Sequence, residues 1–226
     1  MLRTLSRSCA RCVQNLTGLA LLPAAAVFVL ACADVLARLA ARPRAALWFL
    51  AGSGAYALLY ACALLRLRPI YVFAHESTHA LAAWMIGGKV FSFSVGRESG
   101  RVDLSHSNLF IALAPYWVPL YALAVAAAYR FSSWSGASAH ARELFLAAMG
   151  AALSFHLLHT AESLWSARQS DLDEAGTLLS LALILLLNAL VLLAAFKCLF
   201  PRQVDLSASF LRSWGWLASS LSWISR

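Results

Sequence analysis

The chain is written in apolar runs about twenty residues long, separated by arginines, prolines and short polar stretches. A helix rises 1.5 Å per residue, so about 20 apolar residues cross a hydrocarbon core of about 30 Å. One run extends from Leu16 to about Ala40 and ends at Arg38, Arg42, Pro43 and Arg44. A second covers residues 45–65 and stops at Arg66-Leu-Arg68-Pro69. Further runs occupy residues 69–87, 108–129, 143–165 and 177–200. The pattern predicts an all-α polytopic membrane protein of about six transmembrane helices, forming one domain over residues 1–200.

Composition excludes the main alternatives. The chain is 62% hydrophobic and 12% charged, with mean hydropathy +0.72. Soluble domains carry about 25% charged residues. The net charge of +8 therefore reads as membrane topology and contact with the anionic lipid bilayer, and no nucleic-acid partner is expected. Arg3, Arg7 and Arg11 favour a cytoplasmic N-terminus, whereas Arg38, Arg42 and Arg44 argue for the opposite side. Five cysteines, Cys9, Cys12, Cys32, Cys62 and Cys198, form no disulfide framework and read as unpaired thiols. The Ala, Leu and Arg bias points to a multi-pass protein of a bacterial inner membrane.

Inside the third run stands His75-Glu76-Ser-Thr-His79. Residues i and i+4 lie one above the other on a helix, so His75 and His79 present two imidazoles to one point. Glu76 is set to the side, where its carboxylate can take a proton from water held there. Two neutral nitrogens and a carboxylate in this order are the zinc-hydrolase pattern. Satisfied core histidines or a structural metal would also use the pair, but ionisable groups within an apolar span are expensive and usually functional. A catalytic zinc needs a third protein ligand. Asp171 is the first candidate, standing in a polar segment just before an apolar helix; Asp173, Glu162, His159 and His156 follow.

Other stretches frame this motif. Pro69 suits the first turn of the motif helix, and Gly87-Gly88 its stop. Residues 89–105 alternate with a period of two around Gly96–Gly100, a β-hairpin. It reads equally as an ordinary extramembrane hairpin or as an edge strand able to hold an extended peptide. Pro115 and Pro119 should kink the fourth span, and residues 132–138 form a polar loop. In the fifth span His156, His159, Thr160 and Ser163 share a face, with Glu162 alongside. That stripe is expected to line a cavity rather than only bond neighbouring helices. The sixth span carries Asn188. In the tail, residues 201–226, Phe210, Trp214, Leu217, Leu221 and Ile224 recur at helical spacing, with Trp216 and Trp223 adding to them. The tail reads as an interfacial amphipathic helix.

Together, His75-Glu76-x-x-His79-Ala, Gly87-Gly88-Lys-Val, the hairpin, a proline-bearing span and a late Asp near a Gly resemble the site-2 protease family of intramembrane zinc metalloproteases. The resemblance covers roughly Tyr71 to Asn188. It implies that His75, His79 and Asp171 hold Zn2+ and that Glu76 is the general base. It also implies cleavage of a membrane-protein substrate within its transmembrane segment. His156 or Asn188 would then stabilise the oxyanion. The chain departs from the family at Thr78, where Gly is usual, and in the Gln169–Gly176 segment, which lacks the family's proline. Simple crossings would put the motif and Asp171 toward opposite faces; they meet only if the fifth span breaks early or Asp171 lies on a re-entrant segment lining a cavity, and such a break is expected. A metal carrier or sensor using His75, His79, His156 and His159, and a membrane scaffold, are the rival readings.

Overall fold

A computed structural model describes residues 2–134, 140–166, 170–173 and 176–224. Residues 135–138 of the expected polar loop, and Gln169 and Glu174 of the late acidic segment, lie outside the described residues. The described chain forms eight α-helices, a short 3-10 turn and a two-stranded antiparallel sheet. It divides into two compact units, Met1–Ala45 with Asp171–Arg226, and Ala46–Ser170.

The first unit contains α1 (Leu2–Ala40), α7 (Thr177–Leu199) and α8 (Leu206–Ile224), with both α7 and α8 packed on α1. Small residues permit the close approach, as is usual between membrane helices. A Cβ on Gly18 would lie 2.8 Å from the Leu179 backbone nitrogen. The Cys32 thiol donates to the Ala189 carbonyl at 3.3 Å. Helix α8 packs with its serines inward: Ser209 and Ser213 are buried while Leu211, Trp214 and Trp216 are exposed. Phe210 also meets α1, edge-on to Phe28 with ring centroids 4.7 Å apart. The serine face packs beside it, because Ser209 and Arg212 bond the Asp34 carboxylate, each at 2.7 Å. The side chains of Leu221, Trp223 and Ile224 lie outside the described residues.

The second unit contains α2 (Pro43–Ala61, most of it), α3 (Arg68–Met85), β1 (Val90–Val95), β2 (Gly100–Leu104), α4 (Leu109–Trp117), α5 (Leu120–Trp134) and α6 (Ala141–Ser166). Proline opens α3 within its first two positions, where its missing N–H costs nothing. The helix stops at Gly87, whose φ of +80° disfavours any residue with a Cβ. There the Gly87 amide bonds Trp84 O at 3.1 Å and the Gly88 amide bonds Ala83 O at 2.8 Å, a Schellman closure. The hairpin pairs Ser92 with Asp103, Phe93 with Val102 and Val95 with Gly100, with an irregularity at Phe91. Both strands pack on α3.

Among the described residues, three helical stretches are long and apolar enough to cross a membrane: Arg11–Ala40, Ala141–Trp165 and Thr177–Leu199. The pair Leu109–Trp117 and Leu120–Ser133, bent by 68°, makes a fourth if it counts as one span. These helices point to a membrane protein, and six spans are not confirmed. Helix α3 is not among them, since polar His75, Glu76, Thr78 and His79 interrupt its middle, and Ala46–Ala61 is shorter. Only 22% of the α1 window and 28% of the α7 window are buried, although both are apolar all round. Such surfaces suit lipid. The expected kink falls at Val118 and Pro119, because a residue before proline is pushed out of the helical region. The break expected in the fifth span is not there: α6 runs unbroken to Ser166, and Asp171 follows on the 3-10 turn Ser170–Asp173.

Candidate metal centre

Helix α3 brings the two motif histidines together as its periodicity requires. Their ring centroids are 4.9 Å apart at 79°. His79 is buried, and its Nδ1 lies 2.8 Å from the carbonyl of Ile111 on α4. A carbonyl only accepts, so Nδ1 carries the proton and Nε2 keeps its lone pair. That is the tautomer in which an imidazole ligates a metal, with its other nitrogen oriented by a neighbouring acceptor. His75 stands edge-on to buried Tyr116, ring centroids 5.1 Å apart.

His75 and His79 belong to the second unit, whereas Asp171 belongs to the first, on the 3-10 turn Ser170–Asp173. Two imidazoles and one carboxylate are the donor types that zinc takes in hydrolytic sites, leaving a fourth position open. The side chain of Asp173, the alternative ligand, lies outside the described residues.

Glu76 is buried beneath the hairpin. A Cβ on Gly100 would lie 2.5 Å from its Cγ and 2.9 Å from its Oε1. Gly100 is a residue of the site that sequence reasoning missed: it reads as part of a turn, but it opens β2 directly over the carboxylate. A glycine in a strand is the available signal for such an approach. Thr78, the departure from the family pattern, is absorbed locally: its hydroxyl donates to Ala74 O at 2.7 Å within α3.

A cavity opens on the His75 side of α3, lined among others by Tyr71, Thr78, Tyr121, Phe155 and His156. His156 therefore stands where a cavity-lining residue is expected. His159 does not line that cavity: its Nε2 is 3.0 Å from the Tyr56 hydroxyl and its Nδ1 is 3.3 Å from Glu162. Glu162 in turn accepts from Tyr60 at 2.7 Å and from Arg68 at 2.6 Å, an ion pair that fixes the start of α3 to α6. Sequence reading missed Tyr56, Tyr60 and Arg68; tyrosines one turn apart in an apolar helix were the signal. Asn188 lies on α7 in the first unit, where its amide donates to Ile184 O at 2.8 Å within the helix.

At the rim of the hairpin, the Ser92 hydroxyl and the Arg101 guanidinium hold the Asp103 carboxyl below the usual carboxylate range. No family model, curated protein or solved structure matches the chain.

Proposed function

We propose that the protein is a zinc-dependent intramembrane endopeptidase of the site-2 protease kind, acting on the transmembrane segment of a membrane-protein substrate. The observation that carries this reading is the pairing of His75 and His79 on one face of α3, ring centroids 4.9 Å apart. The fixed tautomer of His79 and the buried carboxylate of Glu76 on the same helix support it. His75, His79 and Asp171 would hold the ion. Zinc bound there would supply a Lewis acid for the scissile carbonyl and bring the pKa of its water to about 7. Glu76 takes the proton from the attacking water and returns it to the leaving amine. The substrate must be locally unwound, because a helix hides its scissile carbonyls in backbone hydrogen bonds. An edge of the β1–β2 hairpin can take such an extended segment by strand addition. His156 faces the cavity as the candidate for oxyanion support. A multi-pass location in a bacterial inner membrane is part of the same reading.

A four-histidine carrier is less well supported, because His159 is engaged by Tyr56 and Glu162. The test is metal content and cleavage in purified full-length protein. Glu76→Gln should keep about one zinc per chain and lose cleavage of a transmembrane reporter, while Asp171→Ala should lose the zinc. Zinc-free wild type, or full activity in Glu76→Gln, would sink the proposal.

A further inference from the structure

In a continuous α-helix the carbonyl of Ile111 would accept from the amide of residue 115. Residue 115 is proline, inside α4, and has no amide hydrogen. The neighbouring bonds of this helix are made, with Ala112 N to Asn108 O at 2.8 Å and Val118 N to Ala114 O at 3.0 Å. Ile111 is 1% exposed, so water does not replace the missing donor. A buried carbonyl requires one. The donor is the Nδ1–H of His79, at 2.8 Å.

We propose that Pro115 is a positioning residue of the metal centre. By withholding an N–H from Ile111 O, it opens that carbonyl to His79 and so sets the tautomer that presents Nε2. Its ring acts in the same direction, since a helical proline clashes with the carbonyl four residues back and turns it off the helix axis. A proline in α4 thereby selects the protonation site of an imidazole on α3. The N-terminus of α4 is held independently, by the Asn108 side chain accepting from Ile111 N at 2.9 Å. Removing the proline therefore leaves the helix start intact.

The inference deepens the reading of His79 as a ligand, but its first test needs no metal. In full-length protein with 15N-labelled histidine, imidazole nitrogen shifts report which nitrogen of His79 is protonated. Metal-free wild type should show the Nδ1–H form. Pro115→Ala and Pro115→Gly each restore an N–H at position 115 and should give mixed tautomers. Pro119→Ala, which alters the bend without touching Ile111 O, should behave as wild type. In the second test, chelator competition should show zinc bound about 10 to 100-fold more weakly by both Pro115 variants at unchanged stoichiometry, the usual range for loss of a ligand's supporting hydrogen bond. Wild type in the Nε2–H form overturns the inference outright. So do Pro115 variants with the wild-type tautomer, or a Pro119→Ala shift as large as theirs. Zinc-free wild type that still shows the Nδ1–H form would defeat the endopeptidase reading while upholding this one.

Discussion

Gly100→Ala tests whether the hairpin is seated on the Glu76 carboxylate as tightly as the geometry requires. Among the described glycines only Gly87 and Gly176 have positive φ, so alanine at 100 meets no left-handed backbone. Taken alone, such a change would stabilise the fold by about 0.4–1 kcal/mol through the unfolded chain. Contact reverses the sign. The new Cβ would lie 2.5 Å from Glu76 Cγ and 2.9 Å from both Glu76 Oε1 and Val72 Cγ1. Carbon atoms rest about 3.5–4.0 Å apart, so Glu76 must give way by about 1 Å. Overpacking of a buried site costs about 1–3 kcal/mol, which outweighs the entropic gain and leaves a net loss of about 1–2 kcal/mol. Glu76→Ala removes the atoms responsible. In that background Gly100→Ala should recover most of its cost, a coupling of about 1 kcal/mol limited by the remaining Val72 contact. Unfolding free energies of the four proteins, measured in the same mixed micelles, give the cycle. A stabilising Gly100→Ala, or effects that add to within about 0.5 kcal/mol, would refute the contact. On the proposed function, a 1 Å displacement of the base should also cut cleavage about 100-fold with zinc retained.

Three further expectations follow from the same geometry. Gly87→Ala forces an L-residue to φ near +80° and should cost about 1–2 kcal/mol in the same micelle unfolding assay. The hairpin should lose stability in acid. The Asp103 carboxyl is held low, so its contribution is fully present above the ordinary carboxylate pKa of about 3.9 and disappears as pH falls through the lower folded value. Amide exchange protection of residues 90–104 should fall below about pH 4 in wild type, and Asp103→Asn should remove that dependence. Asp34→Asn removes the carboxylate shared by Ser209, Arg212 and Arg38, so limited proteolysis should cut α8 faster than in wild type at equal detergent.

What could be read from the sequence was local. The pairing of His75 with His79 follows from helical spacing, the α3 stop from Gly87-Gly88, and the hairpin from the alternation around Phe91, Phe93 and Val95. What could not be read depends on partners distant in the chain. Tyr56 lies 103 residues from the histidine it engages, and Arg68 lies 94 from Glu162. No periodicity encodes either pair. The count of six spans is not confirmed for a related reason: average apolarity does not separate a membrane crossing from a shorter helix such as Ala46–Ala61. The inward serines of α8 answer to Asp34 on α1, which a helical wheel of α8 alone does not contain.

Helix α3 holds Glu76, Thr78 and His79 buried in an apolar chain. Each polar group left unmet there would cost several kcal/mol. For Thr78 and His79 that demand is met, and the helix is braced at both ends. Arg68 is paired with Glu162 at its start, and Thr78 bonds back to Ala74 at its centre. His79 reaches the carbonyl that Pro115 leaves open, and Gly87 and Gly88 close the last turn. Tyr121 adds a cross-brace by donating to Ile70 O at 2.8 Å. Loss of one brace should shift the histidine pair without unfolding the helix, because the others remain. Arg68→Ala frees the start of α3 and Pro115→Ala loosens His79, so on the proposed function the two should weaken zinc binding independently. Their combined effect on the affinity should equal the product of the separate factors. Stronger coupling would mean that α3 moves as one rigid rod and that the braces act on its placement rather than on each ligand.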